Sequence, residues 1–146
     1  MTTRFEQVAL GDATLHHIGF VVKDIRSTAQ SFAKSLGLQW DGEIIEDPLQ
    51  QARISFFRPS NGNDRTLIEL VEPVGDASPV RQFLSKGGGL HHICYEVRSL
   101  EDRLRVAQMN RDIVVRQPLP AVAFNGRRIA WIYTRNKLLV EYLEAG

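Results

Sequence analysis

Two stretches of the chain repeat the same order of apolar and polar positions. Each begins with a run of apolar and β-branched residues that is typical of a strand, at residues 15–22 and again at 90–97. Each run is followed by a helix-capping residue, Asp24 or Ser99, and then by apolar positions at helical spacing. Each stretch closes with an apolar run that contains a single glutamate. The pattern therefore predicts two similar modules.

The first module, at about residues 13–72, is predicted to have the order βαβββ. Its helix begins after Asp24 and ends at Gly37, because glycine readily adopts the left-handed conformation of a helix end. Residues 1–12 precede this pattern and are predicted to be a loosely held lead-in. The apolar stripe of the helix, which we expect to face the sheet, consists of Ile25, Ala29, Phe32, Ala33 and Leu36. The strands are predicted at residues 15–22, 39–46, 53–58 and 66–71.

A connector at residues 73–89 is rich in proline and glycine and separates the two modules. Ser78-Pro79 within it predicts the start of a short helix, since proline fits the first helical position. The second module, at about residues 90–144, repeats the order of the first. Its predicted elements are a strand at 90–97, a helix at 99–109, strands at 113–116, 129–134 and 138–143, and a loop opened by Pro118 and Pro120. Helices this few and short favour an α+β fold over a doubly wound parallel sheet.

The composition is that of one globular domain, residues 1–146, with 43% hydrophobic residues and enough chain to bury a core. The net charge of +1 argues against nucleic acid and an anionic membrane as main partners, because both require a strong basic excess. The single cysteine, Cys94, allows no internal disulfide, and the sequence shows neither a signal peptide nor a membrane-spanning run. We expect a soluble cytoplasmic protein.

The tetrapeptide Leu-His-His-Ile occurs twice, 75 positions apart, and the two copies contain all four histidines of the chain. Strand alternation places the second histidine of each copy, His17 and His92, on one face of its strand, and Glu69 and Glu141 project similarly from theirs. A glutamate in an apolar strand is costly to bury unless a cation compensates its charge. Two neutral imidazoles and two carboxylates suit a divalent metal ion of Co, Mn, Ni, Fe or Zn. We predict that these four residues bind such an ion and leave two positions for a chelating substrate.

Each of these residues alone has a plainer interpretation. A single strand histidine is usually a satisfied core residue or a surface residue, and a single strand glutamate usually faces solvent. The duplicated placement favours the metal interpretation. His16 and His91 are expected to face outward or to support the ligands from behind, and Cys94 to pack as a small apolar residue. Arg127 and Arg128, in a turn, are candidates to contact the phosphates of a ligand, although a basic turn is more often only solvated.

The connector and the strand after it carry the most specific motif of the chain. Residues 78–86 read S-P-V-R-Q-F-L-S-K, and three glycines and the second Leu-His-His-Ile follow. In this motif the chain resembles the vicinal oxygen chelate superfamily and, within it, the methylmalonyl-CoA epimerases, over roughly residues 13–144. The resemblance implies two paired βαβββ modules that form a half-open mixed β-barrel around a metal site. It also implies the same four ligands, with Glu69 at the family's Gln or Glu position.

Members of this superfamily act on substrates that chelate a metal through neighbouring oxygens. For this chain the resemblance implies a metal-dependent epimerase or isomerase of a methylmalonyl-CoA-like acyl thioester, carried by CoA or an acyl carrier protein. The α-carbon proton leaves and returns through a metal-stabilised enediolate, with Glu141 as an acid/base. Where some epimerases carry a further glutamate, this chain reads I-S-F at residues 54–56. Ser55 is thus a candidate substrate contact, and Glu43 or Glu46 is a candidate second acid/base.

Other functions within the same superfamily remain open. A glyoxalase I-like lactoylglutathione lyase uses the same ligand set, although the connector motif disfavours it. An extradiol dioxygenase is disfavoured because it uses two histidines and one glutamate, and this chain offers a fourth ligand. A non-catalytic protein that sequesters a small molecule is a further alternative. Such proteins often lack the full ligand set, which this chain keeps. Unpaired sheet edges make a homodimer the expected assembly.

Overall fold

Nine strands form one mixed sheet in the computed structural model, which describes residues 13–146. The predicted lead-in of residues 1–12 lies outside the described residues. The strands, in chain order, are β1 Thr14–Val21, β2 Leu38–Trp40, β3 Ile45–Asp47, β4 Ala52–Pro59, β5 Leu67–Pro73, β6 Gly89–Val97, β7 Ile113–Pro120, β8 Arg128–Tyr133 and β9 Leu139–Glu144. The helices are α1 Ile25–Leu36, α2 Arg81–Ser85 and α3 Leu100–Met109, and a 3-10 turn spans Val122–Phe124.

The order of the strands shows two copies of one module that meet at the centre of the sheet. The order is β2-β4-β5-β1-β6-β9-β8-β7, and the short β3 also pairs with β4. β1 and β6 pair antiparallel with each other, and each pairs parallel with the last strand of its own module, β5 or β9. The outermost strands, β2 and β7, do not pair with each other, so the barrel stays open. The predicted α+β fold with a half-open mixed barrel is confirmed.

Both long helices begin at the predicted capping residues. The Asp24 carboxylate accepts a hydrogen bond from the backbone N–H of Arg26, and the Ser99 hydroxyl accepts one from that of Asp102. These bonds satisfy backbone groups that have no partner within the helix. Within residues 13–146 no helix combines the length and the apolar character needed to cross a membrane.

The apolar stripe of α1 packs on the outer face of β4 and β5, where Phe57 and Leu70 are fully buried. Leu36, the last residue of the predicted stripe, is 51% exposed, because the sheet no longer covers the final turn of the helix. Gly37 ends α1 in the left-handed conformation, at φ +65°. α3 packs in the same way against β8 and β9, so both helices cover the outer face and leave the concave face free.

The single strand predicted at residues 39–46 is wrong, since the two short strands β2 and β3 lie there instead. Asp41 and Gly42 interrupt the run: the Asp41 carboxylate accepts a hydrogen bond from the N–H of Glu43, and Gly42 has φ +84°. The connector helix also begins later than predicted, at Arg81 rather than at Ser78-Pro79.

The strand predicted at residues 113–116 extends through both prolines to Pro120, so the loop predicted there is wrong. β7 is an edge of the sheet, where proline does not remove a hydrogen bond that the ladder needs. The register of β7 against β8 shifts on each side of Arg116. The edge position, which the local sequence does not reveal, therefore decides the length of this strand.

Candidate metal centre

Four side chains from the four innermost strands converge on the concave face of the sheet: His17, Glu69, His92 and Glu141, which we term the four-residue centre. The Nε2 atoms of the two histidines lie 3.1 Å apart. Glu69 places one carboxylate oxygen 3.4 Å from His17 Nε2 and the other 3.3 Å from His92 Nε2. Oε1 of Glu141 lies 3.1 Å from His17 Nε2 and 3.7 Å from His92 Nε2. The structure therefore brings all four predicted side chains together.

The register of the two central strands explains how two imidazole rings fit side by side. His92 lies opposite Gly19, and His17 lies opposite Cys94. A Cβ atom on Gly19 would stand 2.1 Å from the His92 ring, so only glycine leaves room for this imidazole. Cys94 is a free, fully buried thiol that packs as the small apolar residue predicted, and burial raises its pKa. Each ring thus occupies the space left by a small residue on the neighbouring strand.

His16 and His91 lie at β-bulges, one in each central strand. The register between β1 and β6 shifts at both positions, so each of these histidines is an extra residue with no partner opposite. A bulge redirects its side chain, and strict alternation of the two faces therefore fails at His16. Nδ1 of His16 lies 2.9 Å from Nδ1 of His17, and Nδ1 of His91 lies 2.9 Å from Nδ1 of His92. Each outer histidine therefore contacts the Nδ1 atom of the inner histidine beside it.

These contacts determine which nitrogen of each inner ring can offer a lone pair to a cation. In a contact between two Nδ1 atoms, one must donate and the other accept. Burial, and then the neighbouring His92, lowers the pKa of His91 to about 4. Burial, and then His17, likewise lowers the pKa of His16, so both outer rings are neutral and each can accept a hydrogen bond at Nδ1. Nδ1–H of His17 and of His92 can then donate outward, which leaves the Nε2 lone pairs facing the centre.

The buried charges of the centre compensate one another. Burial alone lowers the pKa of His17, but the carboxylates of Glu69 and Glu141 outweigh burial and raise this pKa above its ordinary value. Burial alone raises the pKa of Glu69, but the imidazoles of His17 and His92 outweigh it and lower this pKa. Glu69 therefore keeps the charged form that a metal ligand requires.

The spacing and chemistry of the centre fit a divalent cation. Adjacent ligand atoms that each lie about 2.0–2.2 Å from one ion stand roughly 3–3.5 Å apart, close to the distances of the two Nε2 atoms from each other and from the carboxylate oxygens. Oε1 of Glu141 is buried, and among the described residues its close contacts with the two Nε2 atoms do not form a hydrogen bond. Such an orphaned carboxylate oxygen is costly unless a cation binds it. Two imidazoles and two carboxylates suit a first-row divalent ion.

A cavity of about 270 Å³ lies in front of the centre and is lined by residues of both modules. Glu69, His92 and Glu141 contribute to its wall. Most of the remaining wall is apolar and includes Ile54, Val71, Val80, Phe124, Ile129 and Trp131. Polar residues outside the centre also line it, namely Asp47, Gln50, His91 and Arg116. An apolar cavity with a few polar groups is typical of a small-molecule site.

Ser55, a predicted substrate contact, lies on the outer face of β4 and does not line this cavity. Its neighbours on both sides turn inward, so strand alternation turns Ser55 outward. Its hydroxyl accepts a hydrogen bond from the indole N–H of Trp40 and donates one to the carbonyl of Glu43. The carboxylates predicted to reach the site, Glu43 and Glu46, do not line the cavity either, and Glu46 pairs with Arg53 at the surface.

The two arginines proposed to contact phosphates are also absent from the cavity wall. Arg127 pairs with Glu96 at 2.9 Å, and Arg128 pairs with Glu101 and Glu144 at 2.8 Å each. Both arginines are only partly exposed, because these carboxylates hold them against the sheet. Their placement favours a structural role over a ligand contact.

Asp47 is a carboxylate that lines the cavity but was not predicted. It is fully buried, and its oxygens accept hydrogen bonds from three backbone N–H groups, one of them from Val122 of the second module. Asp47 pairs with Ala52 of β4, whereas Glu69 pairs with Phe56, four residues further along the same strand. At about 3.3 Å per residue, the four residues from Ala52 to Phe56 span roughly 13 Å, so Asp47 lies about that far from the centre along the strand direction. Asp47 therefore fixes the wall of the cavity and does not reach the centre.

The aromatic residues around the histidines were also missed by sequence reasoning. The rings of Phe56 and Phe124 lie 5.7 and 5.9 Å from that of His17, and Trp131 lies 4.7 Å from His92. The alternation of faces along β4 and β8 could have predicted that Phe56 and Trp131 point toward the histidines. Phe124 lies in a 3-10 turn, whose position no periodicity in the sequence identifies. These rings pack against the imidazoles and restrict their orientation.

Comparison with known proteins identifies the family. Residues 16–131 match the model of the glyoxalase/bleomycin resistance protein/dioxygenase superfamily. The chain is 31% identical over 134 residues to an ethylmalonyl-CoA/methylmalonyl-CoA epimerase of Cereibacter sphaeroides, over 87% of this chain and 94% of the relative. It is 34% identical over 134 residues to an uncharacterized protein of Bacillus subtilis, over 89% of this chain and 91% of that protein.

Solved structures share the fold of this chain. A hypothetical protein from Bacillus halodurans superposes with a TM-score of 0.79 at 29% identity, over 92% of this chain and 95% of the other. Methylmalonyl-CoA epimerase from Mycobacterium tuberculosis superposes with a TM-score of 0.77 at 21% identity, over 90% and 87% of the two chains, and so shares the fold. The chain belongs to the glyoxalase/bleomycin resistance protein/dioxygenase superfamily.

Proposed function

We propose that this chain is a metal-dependent epimerase of a 2-substituted malonyl thioester such as methylmalonyl-CoA. The proposal is supported by the apolar cavity in front of the four-residue centre and by the relative named as an ethylmalonyl-CoA/methylmalonyl-CoA epimerase. The observation that carries it is the pair of buried carboxylates, Glu69 and Glu141, one from each module, beside the two imidazoles. Epimerisation requires a proton-transferring group on each face of the α-carbon, and two such carboxylates meet that requirement.

The four residues of the centre would hold the ion, which when bound supplies positive charge that polarises the thioester carbonyl and acidifies the adjacent C–H. Glu141 removes the proton from the α-carbon, and the electron pair of the broken C–H bond passes into the thioester carbonyl. Glu69, which first takes up a proton from solvent water, returns it to the opposite face as that electron pair forms the new C–H bond, and Glu69 is left charged. Glu141 then releases its proton to solvent, and for the other epimer the two carboxylates exchange roles.

Glu69 is assigned to the second face because, among the carboxylates of the described residues, only Asp47, Glu69 and Glu141 line the cavity. The stretch where some epimerases carry a further glutamate reads I-S-F here, at residues 54–56, and of these three residues only Ile54, 8% exposed, lines the cavity. Asp47, at roughly 13 Å along the strand, does not reach the centre. The apolar side chain of Ile54 instead provides a surface against which the alkyl substituent of the substrate can pack.

The same proposal covers the carrier of the acyl group, the oligomeric state and the cellular location. A thioester of CoA and one of an acyl carrier protein present the same reacting group, so both are proposed as carriers. The homodimer and the cytoplasmic location stay predictions. A glyoxalase I-like lyase is the second candidate function, because it uses the same set of two histidines and two carboxylates. In this chain Glu69, at a position that is Gln or Glu in the family, provides the second carboxylate.

The test is to incubate one pure epimer of methylmalonyl-CoA with the metal-loaded protein and to follow the other epimer by chiral analysis. We expect conversion to an equal mixture, loss of conversion after a chelator removes the ion, and recovery when the ion is restored. Ethylmalonyl-CoA serves as the second substrate. Absence of conversion by protein that holds one ion per chain would contradict the proposal, and turnover of a glutathione hemithioacetal would then favour the lyase.

A further inference from the structure

We propose that Gln50 and Arg116 form a second subsite in the cavity, which binds a hydrogen-bond acceptor on the carrier arm of the thioester. The acceptor is the amide carbonyl nearest the sulfur. This inference rests on the proposed function and deepens it, because it assigns the end of the cavity through which the carrier arm leaves. Four features of the structure carry it.

The first feature is an unsatisfied donor. Nε2 of Gln50 is buried, and it has no hydrogen-bond partner among residues 13–146, while Gln50 lines the cavity. A carboxamide nitrogen carries two N–H donors, and leaving them buried without an acceptor is costly. The backbone N–H of Gln50 donates to the Asp47 carboxylate at 3.2 Å, so a fixed turn presents the side chain. An acceptor from a ligand would remove this cost.

The second feature is a cation on the opposite module that faces the same turn. Arg116 lines the cavity, and its Nη2 donates to the carbonyl of Leu49 at 3.3 Å. No carboxylate of the described residues forms an ion pair with Arg116. A guanidinium has five N–H donors, so most of its donors are available to a ligand. Since Leu49 precedes Gln50, the Arg116 guanidinium lies at the turn that carries Gln50, and both residues line the cavity.

The third feature is the distance between this subsite and the four-residue centre. Arg116 pairs with Trp131 on β8, and Trp131 pairs with Glu141 on β9. Neighbouring strands lie about 4.8 Å apart, so the backbone of Arg116 is roughly 10 Å from that of Glu141. A ligand whose oxygens occupy the centre can reach Arg116 only if it carries a second acceptor several bonds away. The arm of a CoA or carrier-protein thioester has such an amide, whereas a short free diacid does not.

The fourth feature is the exposed apolar rim at the same end. Leu49 is 52% exposed, Val115 is 53% exposed and Val122 is 45% exposed. Val115 lies next to Arg116, and Val122 donates its N–H to Asp47 at the base of the turn that carries Gln50. Apolar side chains beside amide and guanidinium donors suit an arm in which methylene and amide groups alternate.

The test compares Arg116→Met and Gln50→Glu with the control Arg105→Met, since Arg105 is an exposed arginine of α3 outside the cavity. Two substrates are used, methylmalonyl-CoA and the S-ethyl thioester of methylmalonate, which lacks the arm amide. Binding of propionyl-CoA is also titrated through tryptophan fluorescence, because Trp131 lines the cavity and this readout needs no turnover.

We expect both cavity variants to raise KM for methylmalonyl-CoA and Kd for propionyl-CoA by about tenfold or more. The effect on the S-ethyl thioester should be much smaller, and Arg105→Met should match the wild type throughout. Equal effects on the two thioesters, or an unchanged Kd for propionyl-CoA, would overturn the subsite. If the wild type converts neither thioester, the proposed function fails, and the propionyl-CoA titration alone then decides the subsite.

Discussion

Replacing Glu141 with glutamine is expected to slow epimerisation by at least about 100-fold. Glutamine keeps the size of the side chain and an oxygen that can bind a metal, but it cannot accept the α-carbon proton. Because each carboxylate is assigned to one face, exchange of the α-proton with solvent should persist for only one epimer, the one whose proton faces Glu69. The measurement is the rate of conversion and, separately, deuterium uptake by each pure epimer.

Glu69→Gln is the matched variant, since the two carboxylates occupy equivalent positions in the two modules. We expect Glu69→Gln to lose epimerisation to the same extent. Exchange of the α-proton with solvent should persist for the opposite epimer, the one whose proton faces Glu141. Metal content of both variants, measured by elemental analysis, separates loss of the ion from loss of the proton acceptor. Two variants that exchange the same epimer, or a Glu69→Gln protein that epimerises at the wild-type rate, would contradict the two-carboxylate assignment.

Adding one methyl group at Gly19 is expected to weaken metal binding by more than about 100-fold. The new Cβ would lie 2.1 Å from the His92 ring, which also contacts Trp131 edge-on at a ring distance of 4.7 Å. The imidazole must therefore move, and its Nε2 can no longer meet Glu69 and His17. Overpacking of this kind also costs roughly 1–3 kcal/mol of folding free energy, or several degrees in Tm. Calorimetric titration with Co²⁺ and thermal unfolding measure both effects.

Gly62→Ala is the control for this substitution. Gly62 lies in the turn between β4 and β5, where an added Cβ has no heavy atom within 4 Å. We expect its metal affinity and Tm to stay close to those of the wild type. If Gly19→Ala bound Co²⁺ as tightly as Gly62→Ala, the close contact between Gly19 and His92 would not be a condition for the centre.

The parts of the structure that follow from local signals were predictable from the sequence. Asp24 and Ser99 cap their helices through short-range hydrogen bonds, so the helix starts could be placed without knowledge of the rest of the chain. The duplicated histidine pair and the glutamate at the end of each module indicated one shared point. Because β1 and β6 lie together at the centre of a symmetric sheet, equivalent positions in the two modules do meet.

The parts that depend on the neighbouring strand were not predictable. The bulges at His16 and His91 arise from the register between β1 and β6, and period-two alternation within a single strand does not show them. The prolines of β7 end a strand only if it is internal, and its edge position is a property of the whole sheet. The position of Ser55 in the sequence makes it a candidate substrate contact, whereas the pleat of β4 turns it toward Trp40.

Deuterium uptake at the α-carbon of methylmalonyl-CoA in D₂O, followed by proton NMR, tests most directly whether the four-residue centre is a metal-dependent proton-transfer site. The account predicts that protein with one divalent ion per chain replaces this proton with deuterium. It also predicts that a chelator stops the uptake, and that added ion restores it. Metal-loaded protein that leaves the proton in place, or uptake that continues unchanged after the ion is removed, would contradict the account.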